Sequence, residues 1–171
     1  YVDFMMNDVG INRLISCYTM IPWDLSFDYY DEATSRVQFI KAKPGDEAYA
    51  EYWGNFLKDF SRHLRQKGWF DKTCIAMDER PMDAMRAAIK VIKDADPEFK
   101  ISLAGVYHEE IERDLYYYCL AYGYKFPKDV LARRRAEGKI STYYTCCTEG
   151  FPNTFTFSAP AEATWMAVHA V

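Results

Sequence analysis

Thr73-Cys74-Ile75-Ala76-Met77-Asp78-Glu79-Arg80-Pro81 contains one complete strand-to-helix transition. The short apolar run from Thr73 to Met77 predicts a buried strand. Pro81 then leads a helix to Ala95, with Met82, Met85, Ile89 and Ile92 on one side, stopped before Pro97. Between them stand two adjacent acids. Charge at the mouth of a buried strand is costly unless it is paired or used. Two readings follow: acid/base chemistry on a bound substrate, or a carboxylate capping the helix led by Pro81.

The same step repeats outward. Asp46 to Lys67 predicts a long helix. Tyr49, Tyr52, Trp53, Phe56, Leu57, Phe60 and Leu64 line one face of it, Asp46 and Glu47 sit at its positive end, and Gly68 closes it. Upstream, Tyr1 to Val9 reads as the end of a helix closed by Gly10, and Ile11 to Met20 as a buried strand broken by Pro22-Trp23-Asp24. Leu25 to Tyr30 and Arg36 to Ile40 flank Asp31 to Ser35 as a hairpin, in which Val37 and Phe39 answer Phe27 and Tyr29.

Downstream, strands are predicted at Ile101 to Ala104, Leu115 to Cys119 and Ile140 to Cys147. A helical turn falls near Glu109 to Glu112, and helices at Pro127 to Glu137 and Pro160 to Val171. Alternating strands and helices, with strands apolar on both faces, predict a parallel sheet covered by helices. The hairpin near 25–40 is an excursion from it.

Composition narrows the class of partner. Of the 171 residues, half are hydrophobic and 17% aromatic, and the net charge is only −4, so disorder and a nucleic-acid footprint are both disfavoured. Tyr and Trp suit sugars, stacking on C–H faces while their OH or NH groups bond hydroxyls; ordinary core packing is the alternative for each. No run of about 18 apolar residues predicts a membrane span. Tyr1-Val2-Asp3-Phe4 reads as the interior of a longer protein, without a signal peptide's basic head and apolar middle. The five cysteines, Cys17, Cys74, Cys119, Cys146 and Cys147, form no CxxC metal pattern and read as buried thiols; Cys146-Cys147 is a candidate vicinal disulfide. Arg133-Arg134-Arg135 reads as a solvated helix face. Neither a metal nor a cofactor is implied.

Five strands are fewer than the eight of a closed βα barrel, which typically takes ~250 residues. The count alone allows an open α/β sheet or an incomplete barrel.

Ile75-Ala76-Met77-Asp78-Glu79, followed by Tyr143-Tyr144-Thr145-Cys146-Cys147, Pro152-Asn153 and Pro160-Ala161-Glu162, resembles the catalytic half of glycoside hydrolase family 123, which contains β-N-acetylgalactosaminidases. The resemblance covers most of the chain. It implies a partial (β/α)8 TIM-type barrel, about strands 3 to 7, with the Asp-Glu pair after the fourth strand. Residues 1–171 would then be a single barrel domain, a fragment of a longer catalytic domain. Because two open apolar edges invite aggregation, the remaining staves are expected from segments outside this chain. A bacterial periplasmic, cell-surface or secreted location is the corresponding expectation.

In such a barrel the site lies just beyond the C-terminal strand ends, which selects Trp23, Asp78, Glu79, Tyr107, His108, Tyr144 and Asn153. Glu79 is the candidate general acid, because a glycosidic oxygen leaves poorly until protonated. Adjacent carboxylates on one strand end do not suit an ordinary retaining pair placed on opposite sides of the anomeric carbon. The resemblance implies instead that the sugar's 2-acetamido oxygen attacks, with Asp78 accepting the acetamide N–H and Tyr144 donating to its oxygen. Trp23 is a candidate stacking face, Tyr107 a further strand-end candidate, and His108 and Asn153 candidate hydroxyl contacts. Arg80 departs from the small or apolar residue expected after the pair and would lower the pKa of Glu79.

The function so implied is a retaining exo-β-N-acetylhexosaminidase acting on an oligosaccharide or glycoconjugate with a terminal β-linked N-acetylhexosamine, most specifically N-acetylgalactosamine. The alternatives are a non-catalytic carbohydrate-binding or structural barrel segment, and a hydrolase of other sugars using Asp24 or Glu149 as a second carboxylate.

Overall fold

The structure, a computed structural model, describes residues 1–21, 26–145 and 159–169. Seven strands are described: β1 (Ile15–Thr19), β2 (Ser26–Asp31), β3 (Arg36–Lys41), β4 (Thr73–Met77), β5 (Lys100–Gly105), β6 (Leu115–Ala121) and β7 (Ile140–Tyr144). With them are helices α1 (Val2–Asn7), α2 (Glu47–Lys67), α3 (Met82–Ala95), α4 (Lys128–Ala136) and α5 (Pro160–His169). One sheet has the order β1-β4-β5-β6-β7, and β2 and β3 form a second, two-stranded sheet. The five-stranded order never reverses along the chain. A doubly wound sheet reverses at its switch point, whereas successive barrel strands do not. The fold class is therefore α/β, a partial (β/α)8-type barrel with a hairpin excursion, as expected.

The chain divides into two compact units, Tyr1–Ser102 and Leu103–Val171. In the first, β1 and β4 pair in parallel, with Ile15 opposite Thr73. Cys74, Ile75 and Met77 are buried, as a strand covered on both faces requires. Helix α2 buries Tyr49, Trp53, Leu57, Ser61 and Leu64 and packs on α3, which buries Met85, Ala88, Ile89, Val91 and Ile92. The Tyr49 hydroxyl donates to the carbonyl of Met20, just past β1, at 2.6 Å. Burial pushes that phenol's pKa far above the ordinary tyrosine range, so it stays a donor. Gly68 adopts φ 70° and ends α2 as predicted.

Two expectations in this unit need correction. The strand predicted from Ile11 begins only at Ile15; Val9 and Ile11 are exposed, and Gly10 is left-handed, so the apolar character there does not mark a ladder. The hairpin forms, but its register pairs Tyr30 with Val37 and Asp28 with Phe39, while Tyr29 faces Gln38. Val37 and Phe39 thus share a face with Tyr30 rather than with Phe27 and Tyr29. The cause is the four-residue loop, in which Asp31 accepts from Ala33 N–H and Thr34 Oγ1 and Ser35 takes φ 52°; a one-residue difference in register exchanges faces.

In the second unit β6 and β7 pair in parallel, with Tyr117 opposite Ile140. The basic run of α4 is a solvated face only in part: Arg135 is exposed and Arg133 half-buried. Arg134 is fully buried. Its Nε donates to Ser141 Oγ at 2.8 Å, Nη1 to Glu112 Oε1 at 3.0 Å and to the Leu115 carbonyl at 2.9 Å, and Nη2 to the carbonyls of Tyr116 and Ile140 at 3.1 and 2.9 Å. Arg133 adds a second contact to Glu112. A guanidinium with its donors met by strand-end carbonyls and a carboxylate is tolerated in a core, and it ties α4, β6 and β7 together.

Candidate active site

At the tip of β4, Met77 is the last strand residue and Pro81 is the N-cap of α3, at φ −49° and ψ 145°. Asp78, Glu79 and Arg80 form the three-residue bend between them. Pro81 itself gives α3 no side-chain cap, while Asp83 Oδ1 accepts the first-turn Ala84 N–H at 2.9 Å. Asp78 is instead held locally: its Oδ1 accepts the Glu79 N–H at 3.1 Å and its Oδ2 accepts Arg80 Nη2 at 2.7 Å. Arg80 Nη1 also donates to the Glu79 carbonyl at 2.6 Å. The pair is partly open, Arg80 being 14% and Asp78 32% exposed. A carboxylate offers about four acceptor positions, so two bonds leave Asp78 capacity for a further N–H. Arg80, anticipated as an influence on Glu79, is thus also the direct partner of Asp78.

In the second unit, Tyr107 and His108 lie just past β5. The Tyr107 ring lies nearly parallel to that of Tyr118, with centroids 6.4 Å apart and an interplanar angle of 21°, and edge-on to Phe126 at 5.9 Å. Burial, reinforced by the charges of Glu112 and Glu109, raises the Tyr107 pKa, so its phenol keeps its proton and can donate. Tyr118, fully buried on β6, accepts the His108 backbone N–H at 2.8 Å and donates to the Val106 carbonyl. Sequence reasoning missed this residue. Its signal is slight: one tyrosine among three consecutive, with a polar atom that needs a partner once buried.

Tyr144 ends β7 half-buried, beside the more exposed Tyr143. Its carbonyl accepts the Tyr122 N–H at 2.7 Å. An open concavity of about 540 Å³ runs along β7, lined by Ser141, Thr142, Tyr143, Tyr144 and Thr145. Trp23, Asn153, Asp24, Glu149, Cys146 and Cys147 lie outside the described residues. Among the described residues, no three or more His, Cys, Asp or Glu side chains are grouped to hold a metal ion, and no helix is long and apolar enough to cross a membrane.

Comparison with known proteins gives the lineage. No curated protein matches the chain. A solved family 123 glycoside hydrolase from Clostridium perfringens, whose structural analysis addressed glycolipid glycan hydrolysis, matches at a TM-score of 0.77 and 30% sequence identity, over 92% of this chain. The chain spans 29% of the length of that protein. The family model described as glycoside hydrolase 123, catalytic domain, matches residues 1–171, and the chain belongs to glycoside hydrolase family 123.

Proposed function

We propose that this chain carries the acid/base centre of a retaining exo-β-N-acetylhexosaminidase specific for terminal β-linked N-acetylgalactosamine, working through the substrate's own acetamide. The observation that carries the reading is the Asp78 carboxylate at the tip of β4, oriented by Arg80 and the Glu79 N–H, with Glu79 its chain neighbour, in a family 123 chain.

In the first step the acetamide carbonyl oxygen attacks the anomeric carbon as the glycosidic C–O bond breaks, and Glu79 delivers its proton to the departing oxygen. Asp78 accepts the acetamide N–H, which aims the amide and offsets the positive charge of the oxazolinium ring that forms. In the second step Glu79, now a carboxylate, takes a proton from water as the water oxygen attacks the same carbon and the ring reopens. Two inversions give net retention. Tyr107, His108 and Tyr144 are proposed as contacts to sugar hydroxyls and the acetamide, with Trp23 and Asn153 in the same capacity. The glycolipid glycan substrate of the Clostridium perfringens relative supports a glycoconjugate as the natural class.

The test is kinetic, on the full-length protein. Activity should be confined to aryl β-glycosides bearing a 2-acetamido group. Glu79→Gln should lower kcat by ~10²–10⁴ on poor leaving groups and far less on activated ones, whereas Asp78→Asn should reduce both. Wild-type rates in either variant refute the assignment. Binding of saccharide without turnover by the wild type would replace the enzyme with a carbohydrate-binding module.

A further inference from the structure

We infer that Tyr118 is the positioning residue of the β5 loop, setting the placement of Tyr107 and His108 without touching substrate itself; this rests on the glycosidase reading above. The single hydroxyl of Tyr118 bonds the backbone on both sides of Tyr107: it receives the His108 N–H at 2.8 Å and gives its own proton to the Val106 carbonyl. A three-residue span is thereby closed around one oxygen, while the Tyr118 ring lies alongside the ring of Tyr107. Free loops just past strand ends sample many backbone states, and a clamp of this kind removes them before ligand arrives.

The clamp is itself immobilised. The Arg134 guanidinium carbon lies 5.7 Å from the Tyr118 ring centroid and 5.4 Å from that of Phe126, and Arg134 is fixed in turn by Glu112 and three backbone carbonyls. Phe126 closes the cluster edge-on to both tyrosines. Rigid supports of this sort hold binding groups to the small tolerances that recognition needs. Because Tyr107 and His108 would contact the sugar equally in the ground and transition states, loosening them should raise KM and leave kcat nearly unchanged.

The test compares Tyr118→Phe with Tyr117→Phe, which removes a hydroxyl from the same strand at an exposed contact with Thr142. Hydrogen exchange and steady-state kinetics on an aryl 2-acetamido-β-galactoside are measured on the full chain. In Tyr118→Phe the His108 amide should exchange at least ~10-fold faster and KM should rise by about the same factor, with kcat within ~2-fold. Tyr117→Phe should move neither. Unchanged His108 protection, or faster exchange with an unmoved KM, overturns the inference. If the wild type turns over no aryl glycoside, the glycosidase reading falls separately, and the clamp is then judged by the His108 exchange alone.

Discussion

Two acid–arginine pairs in this chain use the same chemistry to opposite ends. Asp78 and Arg80 are two residues apart at a strand tip, both part-exposed, and their contact bends the chain upon itself. Glu112 and Arg134 are 22 residues apart, 0% and 3% exposed for Arg134 and Glu112 respectively, and their contact joins separate elements. In the first pair the acid retains room for a newcomer. In the second the guanidinium donors are consumed by the protein. An ion pair's role is therefore decided by the count of unmet partners and by its access to solvent, not by the residue types.

The contrast breaks most visibly at Arg134. Replacing it with Met leaves Glu112 and several strand-end carbonyls without a principal donor, and should cost about 3–5 kcal/mol in urea unfolding. A cost under about 1 kcal/mol would make the buried pair no different from a surface one.

Asp96 is an intermediate case. Burial pushes its pKa up, but the Ser61 hydroxyl at 2.5 Å and the Arg65 guanidinium at 2.9 Å together outweigh it, so the carboxyl sits below its ordinary value of 3.8. A depressed carboxylate stabilises the fold above that unfolded-state value and ceases to do so as pH falls through its lower folded value. Ser61→Ala should therefore lower stability by about 1–2 kcal/mol at neutral pH and flatten the loss seen on acidification below about pH 4, as read by thermal melts across that range.

The smallest stability change belongs to the strand tip. Arg80→Met should alter the unfolding free energy by less than about 1 kcal/mol. It should nonetheless lower kcat/KM on 2-acetamido glycosides by ~10-fold, because Asp78 loses the group that aims it. If instead stability falls and activity holds, the two pairs exchange their assigned roles.

Much of this was legible from residues alone. The stripe on α2 and the apolar run of β4 carry their periods locally, so their elements follow, and the run from Thr73 to Met77 places Asp78 and Glu79 at the strand end where they are found. Arg134 was hidden because a basic triplet reads as solvated, and only tertiary pairing with Glu112 overrides that prior. Val130 and Arg134, four positions apart, are the buried side of α4, a stripe half apolar and half charged that no hydrophobic period detects. The hairpin register escaped for a similar reason. Alternation predicts a strand but not the number of residues its turn consumes, and the Asp31 turn consumes four.

The parallel pairings also dictate an order of assembly. Ile15 meets Thr73 across 58 positions of chain, whereas Tyr117 meets Ile140 across 23. Closing the longer loop is entropically dearer by about 0.8 kcal/mol, and such distant pairings are slow to nucleate. The β6–β7 ladder, with its short crossover helix and internal arginine, should zip first as the polypeptide collapses, and docking of β1 should be the late, rate-limiting event. Pulse-labelled exchange during refolding would then protect Thr142 before Ser16.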